Sequence, residues 1–249
     1  MTELVVPPAL DLEILERRGP QERLLVLIHG YGEPPAMLID RLPQLDPEAR
    51  CLAVAPHGPF DKKGRAIWHR ALGGESDLAV AQYLASHRLL HELIDRCCDE
   101  FDLPRQTVIV GGFSQGAGLA VGLTLAPAGR PRPAACLAFC GFAPPIAGLE
   151  VDRRRPLDVP VLLTAATTDE FLPLDASRQS AALLAELGAH VLFRQVAGGH
   201  ELSDEAAELA AHWLGTVLAG DDVEGDVPVL DDNPLAAAVG ELWVDAPTA

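Results

Sequence analysis

No stretch of this chain is apolar for long enough to cross a bilayer. Its longest weakly polar run, ACLAFCGFAPPIAGL at 135–149, is broken by Pro144-Pro145. It also falls short of the roughly 20 residues that a spanning helix needs. The opening residues, MTELVVPPALDLEILERRG, lack a basic segment followed by an apolar core, so no secretory signal is expected. Cysteine is scarce and odd in number, at positions 51, 97, 98, 136 and 140. Cys97 and Cys98 are neighbours without C-x-x-C spacing, and in a strand Cys136 and Cys140 would lie about 13 Å apart, too far to bridge. A disulfide framework is therefore excluded, and a reducing, cytoplasmic setting is expected. Positive charge is also short. The chain carries a net −17, which argues against nucleic acid or an anionic membrane as a bound surface.

Nucleotide-binding signatures are missing as well. Neither HGYGEPP nor GGFSQGAGLAVG completes G-x-G-x-x-G, and no Walker-type lysine follows a glycine loop. His87 and His91 have helix spacing that could chelate a metal. They lack the glutamate of H-E-x-x-H and a third ligand, so a solvated helix face is expected there. No cofactor and no metal are anticipated. No Gly/Ser linker, charge block or repeat divides the first 219 residues, which reads as one domain, 1–219, followed by an extension, 220–249. Eight acids and no lysine or arginine fall in that extension, leaving 28 acids against 19 bases in the domain.

What the chain does have is alternation. LLVLIHG (24–30), CLAVAPHG (51–58), TVIVGG (107–112), ACLAFCG (135–141), VPVLLTAA (159–166) and HVLFRQV (190–196) are short apolar runs. They are continuous rather than alternating, as expected of strands in a parallel sheet covered on both faces. Between them, 77–101 places Leu90, Leu93, Ile94, Cys97 and Phe101 at helical spacing. SAALLAELG (180–188) ends on a glycine suited to a C-cap. SDEAAELAAHWLGTVLAG opens with Ser203 as N-cap and acids in its first turn. An α/β fold with a mostly parallel sheet and helices on both faces follows.

Residues 108–120, VIVGGFSQGAGLA, set a serine between glycines at the junction of a strand and a helix. Gly112-Phe113-Ser114-Gln115-Gly116 fits G-x-S-x-G, a turn so tight that residues two before and two after the serine nearly touch. Glycine at both places removes the side chains that would collide, and Ser114 is expected at positive φ. A nucleophilic serine needs a base, and the base needs an orienting acid. Asp169 follows one later strand and His200 follows the next, in the chain order Ser, acid, His. Glu170 is the alternative acid and ranks below Asp169. For an oxyanion hole, the Gly30-x-Gly32 turn offers the Tyr31 N–H and the helix start offers the Gln115 N–H. His29, in that turn, reads as scaffold.

These residues together resemble the carboxylesterase/phospholipase family that includes lysophospholipases and acyl-protein thioesterases. The resemblance covers most of 20–215 and rests on LIHGYG, PHGPF…GRAIW, VIVGGFSQGAGLA, TTDEFLP and GGHEL, in that family's order. It implies an α/β-hydrolase fold with Ser114 as nucleophile, Asp169 as orienting acid, His200 as general base, and Tyr31 and Gln115 as oxyanion donors. It also implies hydrolysis of esters, thioesters or lysophospholipids as small-molecule substrates. Family members often carry an acid soon after the tryptophan of the loop following the second strand; here Trp68 is followed by His69-Arg70.

Only 141–158 separates two strands after the nucleophile helix, too short for a cap domain. The expected site is shallow and open, walled by the loops at 57–75 and 141–158, with Trp68, Phe142 and Leu172 each either an acyl-side contact or loop packing. Two other classes share the scaffold: a non-catalytic binding module, which should have lost a triad member, and an acyltransferase, in which an alcohol replaces water. In the extension, Asn233-Pro234 forms an N-cap and N1 pair, and Leu235, Val239, Leu242 and Trp243 share a helical face. Two readings stand: a helix at 234–244 that docks through Trp243 on the domain or on a second subunit, the latter giving a homodimer, or a solvated acidic extension.

Overall fold

The structure, a computed structural model, describes residues 6–15, 22–70 and 77–246. Its strands in chain order are β1 (Leu12–Leu15), β2 (Arg23–Ile28), β3 (Cys51–Pro56), β4 (Phe60–Asp61), β5 (Ala66–Ile67) and β6 (Ile109–Phe113). After them come β7 (Ala135–Phe139), β8 (Glu150–Val151), β9 (Pro160–Ala166), β10 (His190–Val196) and β11 (Val244–Asp245). The helices are α1 (Ala36–Ile39), α2 (Leu42–Leu45), α3 (Asp77–Phe101), α4 (Gln115–Leu125), α5 (Leu174–Glu186), α6 (Asp204–Ala219) and α7 (Pro234–Leu242).

Seven strands form one sheet in the order β1-β3-β2-β6-β7-β9-β10. All pairs are parallel except β1 on β3. The six runs read from the sequence are the six parallel strands. The short antiparallel edge, LEIL, carries no turn signal and was not anticipated. Burial on both faces explains why the inner strands are apolar throughout: β3, β6 and β7 are buried at every position. Leu24, Val26 and Ile28 face a layer made by α3, α4 and α5. Leu25 and Leu27, one residue out of phase, face α1, α2 and α6. The 141–158 connection holds only the two residues of β8 and no helix, so nothing caps the carboxyl ends of the strands there.

Helix α6 starts as expected. Ser203 Oγ accepts the Ala206 N–H at 3.2 Å, and Gly220 ends the helix in the left-handed region at φ 77°. Helix α5 begins six residues earlier than its sequence pattern suggests, at Leu174 after Pro173. The reading of His87 and His91 as a solvated face is corrected: both are buried against α4. His87 Nε2 lies 3.2 Å from the Gly122 carbonyl oxygen and His91 Nε2 3.0 Å from that of Ala126. Burial pushes the imidazoles down to about 4 and about 2 respectively, so both are neutral packing groups.

Residues 234–242 are helical, and the segment packs on α5 of its own chain. Val239 and Trp243 are buried in the core layer shared with α3, α4 and α5.

Candidate active site

Ser114 forms the turn between β6 and α4 with φ 53° and ψ −114°. For a residue with a side chain such a backbone costs roughly 1–3 kcal/mol, and its surroundings must enforce it. They do so through two glycines. A Cβ on Gly112 would stand 2.3 Å from the Gly116 carbonyl oxygen, and one on Gly116 would stand 1.9 Å from that of Ile28. The Ser114 N–H donates to Phe139 O at 2.9 Å, which pins the turn to β7. Its Oγ caps nothing in the helix and is left for another partner.

That partner is His200. Its Nε2 lies 2.8 Å from Ser114 Oγ, and its Nδ1 lies 2.6 Å from Asp169 Oδ2. Asp169 Oδ1 accepts the N–H groups of Phe171 and Leu172, both at 2.8 Å. Burial alone would raise the Asp169 carboxyl. The His200 hydrogen bond and the two amides outweigh it and hold the group below the usual carboxylate range. An ionised carboxylate only accepts, so His200 Nδ1 carries the proton and Nε2 offers its lone pair to the serine hydroxyl. Glu170, the alternative acid, is exposed and lacks this contact.

Asp169 and His200 come from different loops, and those loops are tied together. Thr168 donates to Gly198 O twice, from its N–H at 3.0 Å and its Oγ1 at 2.7 Å. The His200 ring rests between Phe113 and Phe171, with centroids 5.0 and 5.2 Å away. Cys140 lies alongside, its Sγ and the facing atoms of Asp169 and His200 all within 4.8 Å of one another. Burial, then the neighbouring Asp169 charge, pushes this thiol up to about 12. It stays protonated, and both His200 nitrogens are already engaged, so this trio is a poor fit to a metal ion.

Gln115 opens α4, and the first intrahelical bond runs from Gly118 N–H to Ser114 O at 3.1 Å. The Gln115 N–H therefore belongs to the first turn, where helix amides lack an intrahelical acceptor and the dipole favours negative charge. Tyr31 lines the same cavity as Ser114 and Gln115. Its turn is braced by Gly32 N–H to Ala66 O at 3.0 Å and by Arg65 Nε to Gly32 O at 3.1 Å.

The cavity measures about 810 Å³, within the usual range for small-molecule sites. Tyr31, Glu33, Arg65 and His69 supply polar lining. Phe142, Ala143, Pro145, Phe171, Leu172 and Ala176 supply apolar lining. Phe142 and Leu172 thus line the cavity that holds Ser114. Trp68 does not. Its side chain is fully buried, with Nε1 donating to His29 O at 2.9 Å, and it is absent from the cavity lining. His69, the next residue, lines the cavity instead. His29 is scaffold: its Nδ1 lies 2.7 Å from Gly30 O and its Nε2 accepts the Gly58 N–H at 3.0 Å. Burial lowers its imidazole to about 4.

The site is also less purely a matter of the two loops at 57–75 and 141–158 than expected. Of the first, residues 71–75 lie outside the described residues. Helix α5 contributes Ala176, Gln179 and Ser180, and α7 contributes Leu235. A second residue role was missed. The Gln115 side chain accepts from Trp68 N–H at 3.0 Å and donates to His69 O at 2.9 Å, clamping the 68–69 loop to the nucleophile turn.

A family model described as Phospholipase/Carboxylesterase matches residues 10–218, most of the chain. The chain belongs to the phospholipase/carboxylesterase family. Its fold is that of the α/β-hydrolases, and the family's chemistry is carboxylic ester hydrolysis. The acyl-protein thioesterase 1 of Debaryomyces hansenii is 24% identical over 217 residues, covering 80% of this chain and 93% of that one. The putative hydrolase MhqD of Bacillus subtilis is 27% identical over 206 residues, covering 79% of this chain and 94% of the relative. Among solved structures, esterase PE8 superposes with a TM-score of 0.70 at 26% identity, covering 84% of this chain and 99% of its own. The family match stops at 218, before α7.

Proposed function

We propose that this protein is a serine esterase in which Ser114 is the nucleophile, His200 the general base and Asp169 the acid that orients it. The observation that carries this reading is the unbroken line of hydrogen bonds from Asp169 Oδ2 through His200 to Ser114 Oγ, at 2.6 and 2.8 Å. As Ser114 Oγ attacks the substrate carbonyl, His200 Nε2 takes its proton, and the Asp169 charge stabilises the imidazolium. The carbonyl oxygen becomes an oxyanion received by the Gln115 and Tyr31 backbone N–H groups. Collapse of the tetrahedral intermediate expels the alkoxide or thiolate, which recovers the proton from His200. Water then repeats the sequence on the acyl-Ser114 ester and releases the acid.

The apolar lining suits the acyl part of the substrate, and the polar residues Glu33, Arg65 and His69 suit a hydrated alcohol, thiol or headgroup. The substrate class is therefore a carboxylic ester or thioester, in keeping with the thioesterase and esterase names of its relatives. Cys97, Cys98, Cys136 and Cys140 are free thiols, which supports a reducing, cytoplasmic setting. Among the described residues no helix is long and apolar enough to cross a membrane.

The test is hydrolysis of p-nitrophenyl acetate together with covalent labelling by a fluorophosphonate probe. Ser114→Ala should abolish labelling and lower kcat by a factor on the order of 10⁴ to 10⁶. Asp169→Asn should lower kcat about 10⁴-fold while leaving the fold intact, because the amide favours the wrong His200 tautomer. Labelling that persists in folded Ser114→Ala would refute the assignment of the nucleophile.

A further inference from the structure

The extension beyond the family match lies against the cavity that contains Ser114, and it is tied to two of that cavity's walls. Leu235, in the first turn of α7, lines the cavity and packs against the core layer beneath it. Asn233 caps the helix, its Oδ1 accepting the Ala236 N–H at 3.4 Å. The same side chain donates from Nδ2 to Gln179 O at 3.0 Å, on the α5 wall. The far end is fixed to the 141–158 loop. Trp243, buried to 4% exposure, donates from Nε1 to Pro144 O at 2.9 Å, beside the lining residue Pro145. Gly148 N–H donates to Leu242 O at 2.8 Å, and β11 pairs in parallel with β8. Arg153 adds a contact to each, 3.4 Å from Asp245 and 5.9 Å from the Trp243 ring centroid.

We infer that residues 233–245 form an acyl-selecting clasp: Leu235 supplies apolar wall to the acyl site, and Asn233 and Trp243 hold the α5 and 141–158 walls in register with it. The inference rests on the ester-hydrolase reading and adds to it a preference for apolar acyl chains that reach past the carbonyl to the clasp. An acetyl group carries a single methyl group beyond its carbonyl carbon. A decanoyl chain has eight further carbons to lay along the apolar lining. Each methylene so buried favours binding by roughly fourfold, and a charge placed against that chain loses this gain and adds a desolvation penalty.

The experiment compares kcat/KM for p-nitrophenyl acetate and p-nitrophenyl decanoate across variants of the full chain. Leu235→Asp should lower the decanoate-to-acetate ratio of kcat/KM about tenfold or more. Leu235→Met, similar in volume and equally apolar, should restore the ratio. Trp243→Phe keeps the buried ring but loses the Pro144 bond, and should lower the ratio in the same direction through the loosened 141–158 wall. Thermal melting of each variant identifies any that fail to fold, and Leu235→Gln then replaces Leu235→Asp. An unchanged ratio in both Leu235→Asp and Trp243→Phe overturns the clasp, as does a parallel fall for both esters or a wild type inert to decanoate. A wild type inert to acetate and to the fluorophosphonate overturns the ester-hydrolase reading itself, so the two failures are told apart.

Discussion

Replacing Gln115 with methionine should destabilise this protein far more than a change of similar volume ordinarily does. The side chain is 6% exposed and bonds two backbone groups of one loop, Trp68 N–H at 3.0 Å and His69 O at 2.9 Å. Methionine fills comparable space and leaves both groups without a partner. A buried polar group stranded in this way costs about 1–3 kcal/mol, so the pair should cost about 2–6 kcal/mol. In a chain of this size each kcal/mol moves the melting midpoint by about 2–4 °C, giving a fall between ~4 and ~24 °C. Gln115→Ala should lose more, since it adds a cavity to the same two stranded groups. The loop also carries His69 into the substrate cavity, so KM for acetate should rise in whichever variants still fold. Urea unfolding followed by far-ultraviolet circular dichroism reads the first effect and initial rates read the second. If Gln115→Met unfolds within 0.5 kcal/mol of wild type, the clamp carries no energy and the reasoning fails.

The remaining predictions concern acid stability and the nucleophile turn. His29, His69 and His87 are lowered to about 4, and His91 to about 2, chiefly by burial. Between those values and the ordinary 6.5 the unfolded chain binds protons that the folded chain refuses. Stability should therefore fall as pH drops from 7 towards 4, by up to ~1.4 kcal/mol per pH unit for each histidine. A melting temperature that stays level from pH 7.5 to 5 would contradict this. Gly116→Ala should yield no soluble folded protein, because its Cβ meets the Ile28 carbonyl oxygen at 1.9 Å and backbone cannot step aside. Gly215→Ala, inside α6 with open space around it, should instead stabilise by roughly 0.5–1 kcal/mol; equal expression and equal melting of the two variants would refute the steric account.

Much of the site is legible in the sequence because its geometry is local or topological. The G-x-S-x-G spacing fixes a turn through contacts among five consecutive residues, and the structure returns it with Ser114 at positive φ. Asp169 and His200 are legible for a different reason: parallel strands end on one edge of their sheet, so residues just past two such ends are brought near each other whatever lies between. For Trp68 the sequence leaves two readings open, because an indole after a loop motif packs equally well against substrate or against protein. Its Nε1–His29 O bond, between residues 39 apart, chose the latter. His87 and His91 were misread for the same kind of reason, since helical spacing places two residues on one face without naming what that face meets.

By itself the sequence determined the alternation of the six parallel strands with helices, the strained serine turn and the chain order of the three polar side chains, because each follows from backbone sterics or from the pattern of apolar residues. Only the tertiary structure decided that Gln115 clamps the 68–69 loop, that α5 and Leu235 wall the cavity, and that the extension folds back through Trp243 onto Pro144. Those contacts join segments separated by 46 to 99 residues, and at that range it is the packing of the whole core, not any nearby pattern, that selects which surfaces meet.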